Sequence, residues 1–372
     1  MQKAAESWLV LQISGSPFYL GLDAFLGEIP IFIFSLVGGV IADRRDRRHL
    51  LLFSQFVQMG CAFALTILIA TKLIRVWHIL CCSFLCGFAQ AFGGPAYQAL
   101  IPSLVEVEDI SNAIALNSIQ FNLARVIGPA LGGLAMTTLG AAWCFGLNGL
   151  SFVAVIVSLF LLKIRFVPEK TKDSMLASLK QGIAFVRHHP AMEGLVVLAF
   201  LMTLLGIPMM VFLPVFAKDV FHGGAVSYTL LLSISGVGAI FGALAVAAMG
   251  NLRNKGRVAL AMLVVLGILI AGFALSKSLV LGAVLLFFAG AALISVFALI
   301  SSLVQLITAD QMRGRVMSVY NVAFRGGMPI GSLVNGALIP IFKAPAVLAV
   351  NGVLLSLVGL YFLIVQRKVA RL

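Results

Sequence analysis

The sequence predicts an all-α membrane protein made of two six-helix halves, with the first helix of the first half cut short. Three observations predict it. The chain of 372 residues is 61% hydrophobic and only 10% charged, against about 25% charged in ordinary soluble domains. Its apolar residues form unbroken runs of about 20, the length of a membrane-spanning helix. Its basic residues gather in the joints on one side of those runs. In hydrocarbon every backbone polar group must be bonded within the protein, which leaves helices or a closed barrel. Barrel strands would alternate in polarity, and these runs do not.

The first element is a stub, Ala4 to Ile13, ended by the turn-forming Ser14-Gly15-Ser16-Pro17. At ~1.5 Å per residue it is too short to span. Eleven spans follow, at 20–42, 50–70, 76–100, 112–137, 142–162, 192–216, 225–249, 258–276, 279–307, 316–340 and 345–365. The joint after the first carries Arg44, Arg45, Arg47 and Arg48. Later joints on the same side carry Lys163 to Arg187, then Arg253, Lys255 and Arg257, then Arg313 and Arg315, and last Arg367, Lys368 and Arg371. The opposite joints hold only Lys72, Arg75, Lys218, Lys277 and Lys343. An excess of Lys and Arg marks the cytoplasmic side, so the C-terminus is expected in the cytoplasm. The joint from Ile101 to Ser111 departs locally, with Glu106, Glu108 and Asp109 and no basic residue.

The longest polar stretch divides the chain into an N-terminal bundle (1–162), a linker (163–190) and a C-terminal bundle (191–372). Within the linker Leu176, Leu179, Ile183 and Val186 recur at helical spacing. That pattern predicts a short amphipathic helix on the inner membrane surface. The net charge of +13 does not point to nucleic acid, because the basic residues are scattered through short joints. Cys61, Cys81, Cys82, Cys86 and Cys144 all fall in apolar runs and are expected as small buried hydrophobes. No metal-ligand spacing, nucleophile elbow or phosphate loop occurs. Neither an enzyme nor a metal or other cofactor is expected.

The halves echo one another. Ser118, Arg125 and Pro129 recur at constant spacing as Ser318, Arg325 and Pro329. Parallel six-helix repeats mark a transporter fold with its site between the repeats. Ionisable residues within spans mark pathways or proton relays. Here they are Lys3, Glu6, Asp23, Glu28, Arg125 and Arg325. Glu6 and Glu28 lie at similar depth, Glu6 about 12 Å below the outer end of its stub. Glu28 and Glu6 are the leading candidates to carry a coupling proton, with Arg125 as their charge partner. Asp23 is shallower; it is the third candidate and is expected to face interfacial water.

Two motifs narrow the class. Gly38-Gly39-Val40-Ile41-Ala42-Asp43-Arg44-Arg45-Asp46-Arg47-Arg48 resembles the signature loop between the second and third helices of major facilitator transporters. Arg125-Val126-Ile127-Gly128-Pro129-Ala130-Leu131-Gly132-Gly133 is similar to the fifth-helix motif of exporters in that superfamily. With Arg313-Gly314-Arg315-Val316-Met317-Ser318, the chain resembles the branch that holds the enterobactin exporter and macrolide-efflux proteins, over nearly all of 8–366. Tyr97 departs from it, since many relatives carry arginine there. The resemblance implies a major facilitator fold whose first helix is incomplete here, with more chain expected ahead of Met1. It implies that Gly39, Asp43, Arg44, Arg47 and Arg48 latch one side of the transporter shut. It implies too that Arg125, Gly128, Pro129, Gly132 and Gly133 limit leak through the closed cavity, with Arg325 and Pro329 as their counterparts. Glycines there admit a close neighbour, and Pro129 permits a bend.

The expected function is proton-coupled export of a small amphipathic molecule, siderophore-like or drug-like, by a monomer in the bacterial inner membrane through alternating access. The partners are the substrate, protons and the lipid bilayer. A lysolipid flippase and a non-transporting truncated scaffold are the alternatives.

Overall fold

A computed structural model describes residues 1–44, 46–162, 175–250 and 254–372. The side chains at 36, 40, 42–44 and 175–178 lie outside that description. The described chain is helical throughout, apart from its joints.

The helix α1 (Gln2–Ser14) stops at Gly15, whose φ of 63° is the left-handed conformation that glycine adopts without strain. Its N–H returns to Leu11 O, the usual helix-terminating bond. Pro17 then opens α2 (Pro17–Arg44), where a missing N–H costs nothing. There follow α3 (Arg47–Ala70), α4 (Val76–Leu100), α5 (Ile110–Thr138) and α6 (Ala141–Leu161). The linker helix is α7 (Met175–His188). Pro208 and Pro214 break the next span into α8 (Pro190–Gly206), α9 (Pro208–Val211) and α10 (Leu213–Val215), because each lacks the donor that a continuous helix needs. The chain ends with α11 (Ala225–Ala248), α12 (Lys255–Leu275), α13 (Leu279–Leu306), α14 (Asp310–Phe342) and α15 (Ala344–Ile364).

Nine helices among the described residues are long and apolar enough to cross a membrane. The sequence pattern had pointed to eleven. The other two, α5 and α14, have 29 and 33 residues, ample length for a span. They fall short in apolarity: α5 carries Asn112, Asn117, Gln120, Asn122 and Arg125, and α14 carries Arg315, Asn321, Arg325 and Asn335. They are also the helices that bear the recurring Ser, Arg and Pro positions.

The chain forms two compact units: Met1–Gly15 with Leu22–Met175, and Ser16–Gly21 with Leu176–Leu372. In the first, α3 packs between α4 and α6, and α1 lies against α4, α5 and α6. In the second, α12 packs on α13 and α15, α11 on α13, and α14 on α8. Glycine sets the closest crossings. A Cβ on Gly238 or Gly242 of α11 would collide with the carbonyls of Phe287 or Ala291 of α13, the small-residue packing of membrane helices.

One expectation is extended here and one is corrected. On α7, Gly182 and Val186 are buried and Ile183 is 38% exposed. Gly182 lies against the backbone of Arg315, so a glycine edge of this helix seats on α14, and the apolar stripe is not its only buried face. The Leu176 side chain and residues 163–174 lie outside the described set, as do Arg45 and Arg253. Of the cysteines, Cys61 and Cys144 are buried, Cys82 and Cys86 are partly covered, and Cys81 is exposed. A helix in lipid can leave an apolar thiol facing outward at no cost.

Candidate functional site

The first unit gathers three charged side chains and a hydroxyl from three helices. Lys3 Nζ donates to Glu6 Oε1 at 2.8 Å and to Asp23 Oδ2 at 3.2 Å. Ser83 Oγ lies 2.7 Å from the same Glu6 Oε1 and 2.5 Å from Asp23 Oδ1. Glu6 is 6% exposed and Asp23 1%. The Lys3 side chain remains 62% accessible, so a cation on the outside of the cluster meets two carboxyl groups within it.

The packing explains this meeting. Glu6 follows Lys3 by about one helical turn, so both project from one face of α1. On α2 and α4, Gly27 and Gly87 touch backbone to backbone: a Cβ on Gly87 would collide with the Gly27 carbonyl. Asp23 and Ser83 sit one turn before these glycines on their helices, where the two backbones are still close enough for short side chains to bond. The first turns of α1 are tied down further by Asn148 of α6, which donates to Gln2 Oε1.

Asp23 is therefore a core member of the cluster. Its expected place in interfacial water is corrected: α1 and α4 cover it, and Lys3 and Ser83 supply the hydrogen bonds that water would have given. Glu28, the leading sequence candidate, is half-buried about one turn beyond Asp23 and has a polar partner of its own. It does not figure among the described contacts of Lys3, Glu6, Asp23 and Ser83. Lys3 was noted in the sequence as an intramembrane charge but given no role. Ser83 left no sequence signal beyond its place four residues before a glycine.

The fifth-helix motif packs as its residue types suggest. Pro129, Gly132 and Gly133 are buried within α5. Gly128 and Gly132 face Met1 at the start of α1, where an added Cβ would stand 3.2 Å from Met1 atoms. In the second unit Pro329 is likewise buried in α14, and added Cβ atoms on Gly327 and Gly331 would strike Thr203 and Leu204 of α8. Each of the two polar helices thus uses glycine to admit a neighbour within its own unit. The guanidinium of Arg125 lies over the Phe121 ring, 5.2 Å from its centroid. Among the described residues that cation–π contact is the one found for it, and the carboxylate partner expected for it is not. Arg325 is exposed on α14 and also has a side-chain interaction of its own.

The basic loop holds helix ends together. Asp46 caps α3 by accepting from Arg48 N at 2.9 Å. Arg47 Nη1 donates to Ala99 O at the end of α4, at 2.9 Å. Arg48 Nη2 donates to Phe160 O at the end of α6, at 2.8 Å, over the Phe160 ring. Cations at helix C-termini satisfy orphan carbonyls and oppose the dipole. Arg48→Ala is expected to cost about 0.5–1.5 kcal/mol, read as a lower melting temperature in detergent, with Arg48→Lys recovering part of it. Gly39 has open space around its Cβ position. The side chains of Asp43 and Arg44 lie outside the described residues.

The second unit has an open surface groove of about 390 Å³ between α13 and α14, lined by Phe297, Ser301, Ser302, Gln305, Leu306 and Arg313. Its walls pair apolar surface with hydroxyl, amide and guanidinium groups.

Comparison with known proteins places these features. The model of a family described as transmembrane secretion effector matches residues 1–370. The enterobactin exporters of Citrobacter koseri and of Escherichia coli O139:H28 are each 28% identical over 97% of this chain and 86% of their own length. Among solved structures, a nucleoside transporter superposes with a TM-score of 0.76 at 13% identity, over 97% of this chain and 94% of its own. A peptide transporter in complex with alafosfalin gives 0.77 at 13% identity, over 100% and 92%. Those two likenesses concern the fold.

Proposed function

This chain belongs to the transmembrane secretion effector family, a branch of the major facilitator transporters, and we propose that it is a proton-coupled exporter whose coupling group is the Lys3–Glu6–Asp23–Ser83 cluster. It is a multi-pass membrane transporter and its relatives are not enzymes. The observation that carries the coupling reading is the burial of two carboxyl groups around one lysine inside a membrane bundle. Isolated charges there are costly and are kept for ion pathways. A pair of carboxyl groups sharing one cation can gain or lose a proton without leaving a large unbalanced charge. That is what an exchanger of protons for substrate requires.

Export is supported by the enterobactin exporters among its relatives. The substrate proposed is a small amphipathic molecule, siderophore-like or drug-like. The open groove between α13 and α14 offers Phe297 and Leu306 for apolar surface and Ser301, Ser302, Gln305 and Arg313 for a polar or anionic end. The distribution of basic joints supports a bacterial inner-membrane location with the C-terminus in the cytoplasm. The signature loop and the fifth-helix motif would serve alternating access, and the protein would work as a monomer. The halves proposed are 1–162 and 191–372, joined by 163–190.

The test is uptake of candidate compounds, enterobactin first, into inside-out vesicles energised by an imposed pH gradient. The reading expects accumulation that collapses when a protonophore is added. Accumulation of a compound that survives the protonophore would exclude proton coupling. Lack of accumulation across a broad panel of amphipathic compounds would favour a non-transporting scaffold.

A further inference from the structure

The C-terminal tail folds back onto the second unit. After α15 the residues 367–371 form turns, and Val369 is fully buried with Ala370 only 4% exposed. Two glycines make room for them. A Cβ on Gly256, in the first turn of α12, would collide with the Val369 carbonyl and crowd Leu372. A Cβ on Gly194, near the start of α8, would press on the side chains of Val369 and Phe362. The tail is therefore seated backbone against backbone, at the end of the unit where α8 and α12 begin and α15 stops.

Seating Val369 places the charges. Arg371 N donates to Arg367 O at 3.1 Å, so these two residues lie one turn apart on the same side of the tail. With 369 and 370 turned inward, Arg367, Lys368 and Arg371 are exposed. The Gly256 contact brings them to the start of α12, where Lys255 is half-buried and Arg257 exposed. Two separate stretches of chain thus put their cations at one place. Among the described residues none of these cations is in an ion pair. Glu193, exposed near the start of α8, is an acid at the same end. Cations held this close repel one another, and an anion between them removes the repulsion.

Beside the cations the surface is apolar. Tyr361, Ile364 and Val365, at the end of α15, are 52%, 57% and 69% exposed. Both α12 and α15 are long and apolar enough to cross a membrane, so here the chain passes from hydrocarbon to water. Tyrosine is a favoured side chain at that level. A nucleic acid or an acidic peptide would meet the cations alone. A phospholipid with an anionic headgroup meets the cations and the apolar surface together.

We propose that the tail and the start of α12 form a binding site for an anionic phospholipid. The headgroup phosphate lies among Lys255, Arg257, Arg367, Lys368 and Arg371, and the acyl chains lie along Tyr361, Ile364 and Val365. The site is complete only while Val369 is seated, so lipid binding and tail seating stabilise each other. The site is independent of proton coupling and of the side of the membrane that this end faces.

Native mass spectra of the purified full chain, mixed in detergent with equal amounts of phosphatidylglycerol and phosphatidylcholine, count the lipids that stay bound. Phosphatidylglycerol is expected to be retained in preference to phosphatidylcholine. Arg367→Gln, Lys368→Gln and Arg371→Gln together are expected to weaken its binding about 100-fold, at about fivefold for each basic residue. Gly256→Leu keeps every cation but unseats Val369, and is expected to weaken binding at least about tenfold, as if two tail cations were lost. Lys218, Lys277 and Lys343 lie at the opposite end, beyond α10, α12 and α14. Changing these three to Gln removes as many cations and is expected to leave binding unchanged. Equal retention of the two lipids would overturn the site. An equal fall in the opposite-end variant would overturn it too, since attraction by overall charge would then suffice. Full binding after loss of the three tail cations would place the lipid elsewhere. If Gly256→Leu does not fold, the two charge variants still decide among these outcomes.

Discussion

Glu6→Gln is expected to lower pH-gradient-driven transport at least about 100-fold, the weight of a positioned proton carrier, in a protein that still folds. Glutamine keeps the shape of the side chain, and its carbonyl oxygen can still accept from Lys3 Nζ and Ser83 Oγ, the two donors that Glu6 Oε1 now serves. Lys3 keeps Asp23 as a counter-charge. Folding should therefore change by no more than about 1–2 kcal/mol, one weakened charged hydrogen bond. What is lost is the ability to take a proton. Facilitated movement down a substrate gradient should persist, and uphill movement should fail. Lys3→Met makes the opposite case: two carboxyl groups would share Ser83 without a cation, so the melting temperature should fall together with transport. Glu28→Gln separates the rival carboxylate. Retention of full pH-gradient dependence would leave Glu6 and Asp23 as the carriers.

The second large effect lies in the backbone. Gly87→Val is expected to cost about 1–3 kcal/mol or more, the range for overpacking a filled contact. It should also uncouple whatever transport remains. The added Cβ would meet the Gly27 carbonyl, which is backbone and cannot swing aside. Separation of α2 from α4 at this point would draw Ser83 away from Asp23 one turn earlier. Thermal unfolding in detergent gives the stability term, and pH-gradient-driven transport gives the uncoupling. Gly60→Ala on α3 is the control. Nothing lies within 4 Å of its Cβ position, so the gain in helix propensity, about 1 kcal/mol, should leave stability equal or higher.

Much of the fold was legible because the membrane constrains the chain so tightly. Unbroken apolar runs have one solution in lipid, and the Ser14-Gly15-Ser16-Pro17 turn becomes the left-handed glycine and opening proline between α1 and α2. The polar helices α5 and α14 were legible as long helices from their place between joints, although composition alone passes them over as spans. The site was legible only in part. Glu6 and Asp23 stood out as charges in apolar surroundings, but depth counted along separate helices misplaced Asp23, because α1 folds over it. Ser83 was invisible: a serine in an apolar run is common, and only the Gly27–Gly87 contact in space brings it between two carboxyl groups. Arg125 was matched to a carboxylate by charge, whereas the helix geometry gives it Phe121, one turn away on the same face.

The central claim is that the cluster exchanges protons for substrate. The most direct measurement is proton release from purified protein in weakly buffered solution when a transported compound is added, compared between wild type and Glu6→Gln. The account predicts release from the wild type and none from the variant, with the compound still bound by both. Equal release from both proteins would contradict it.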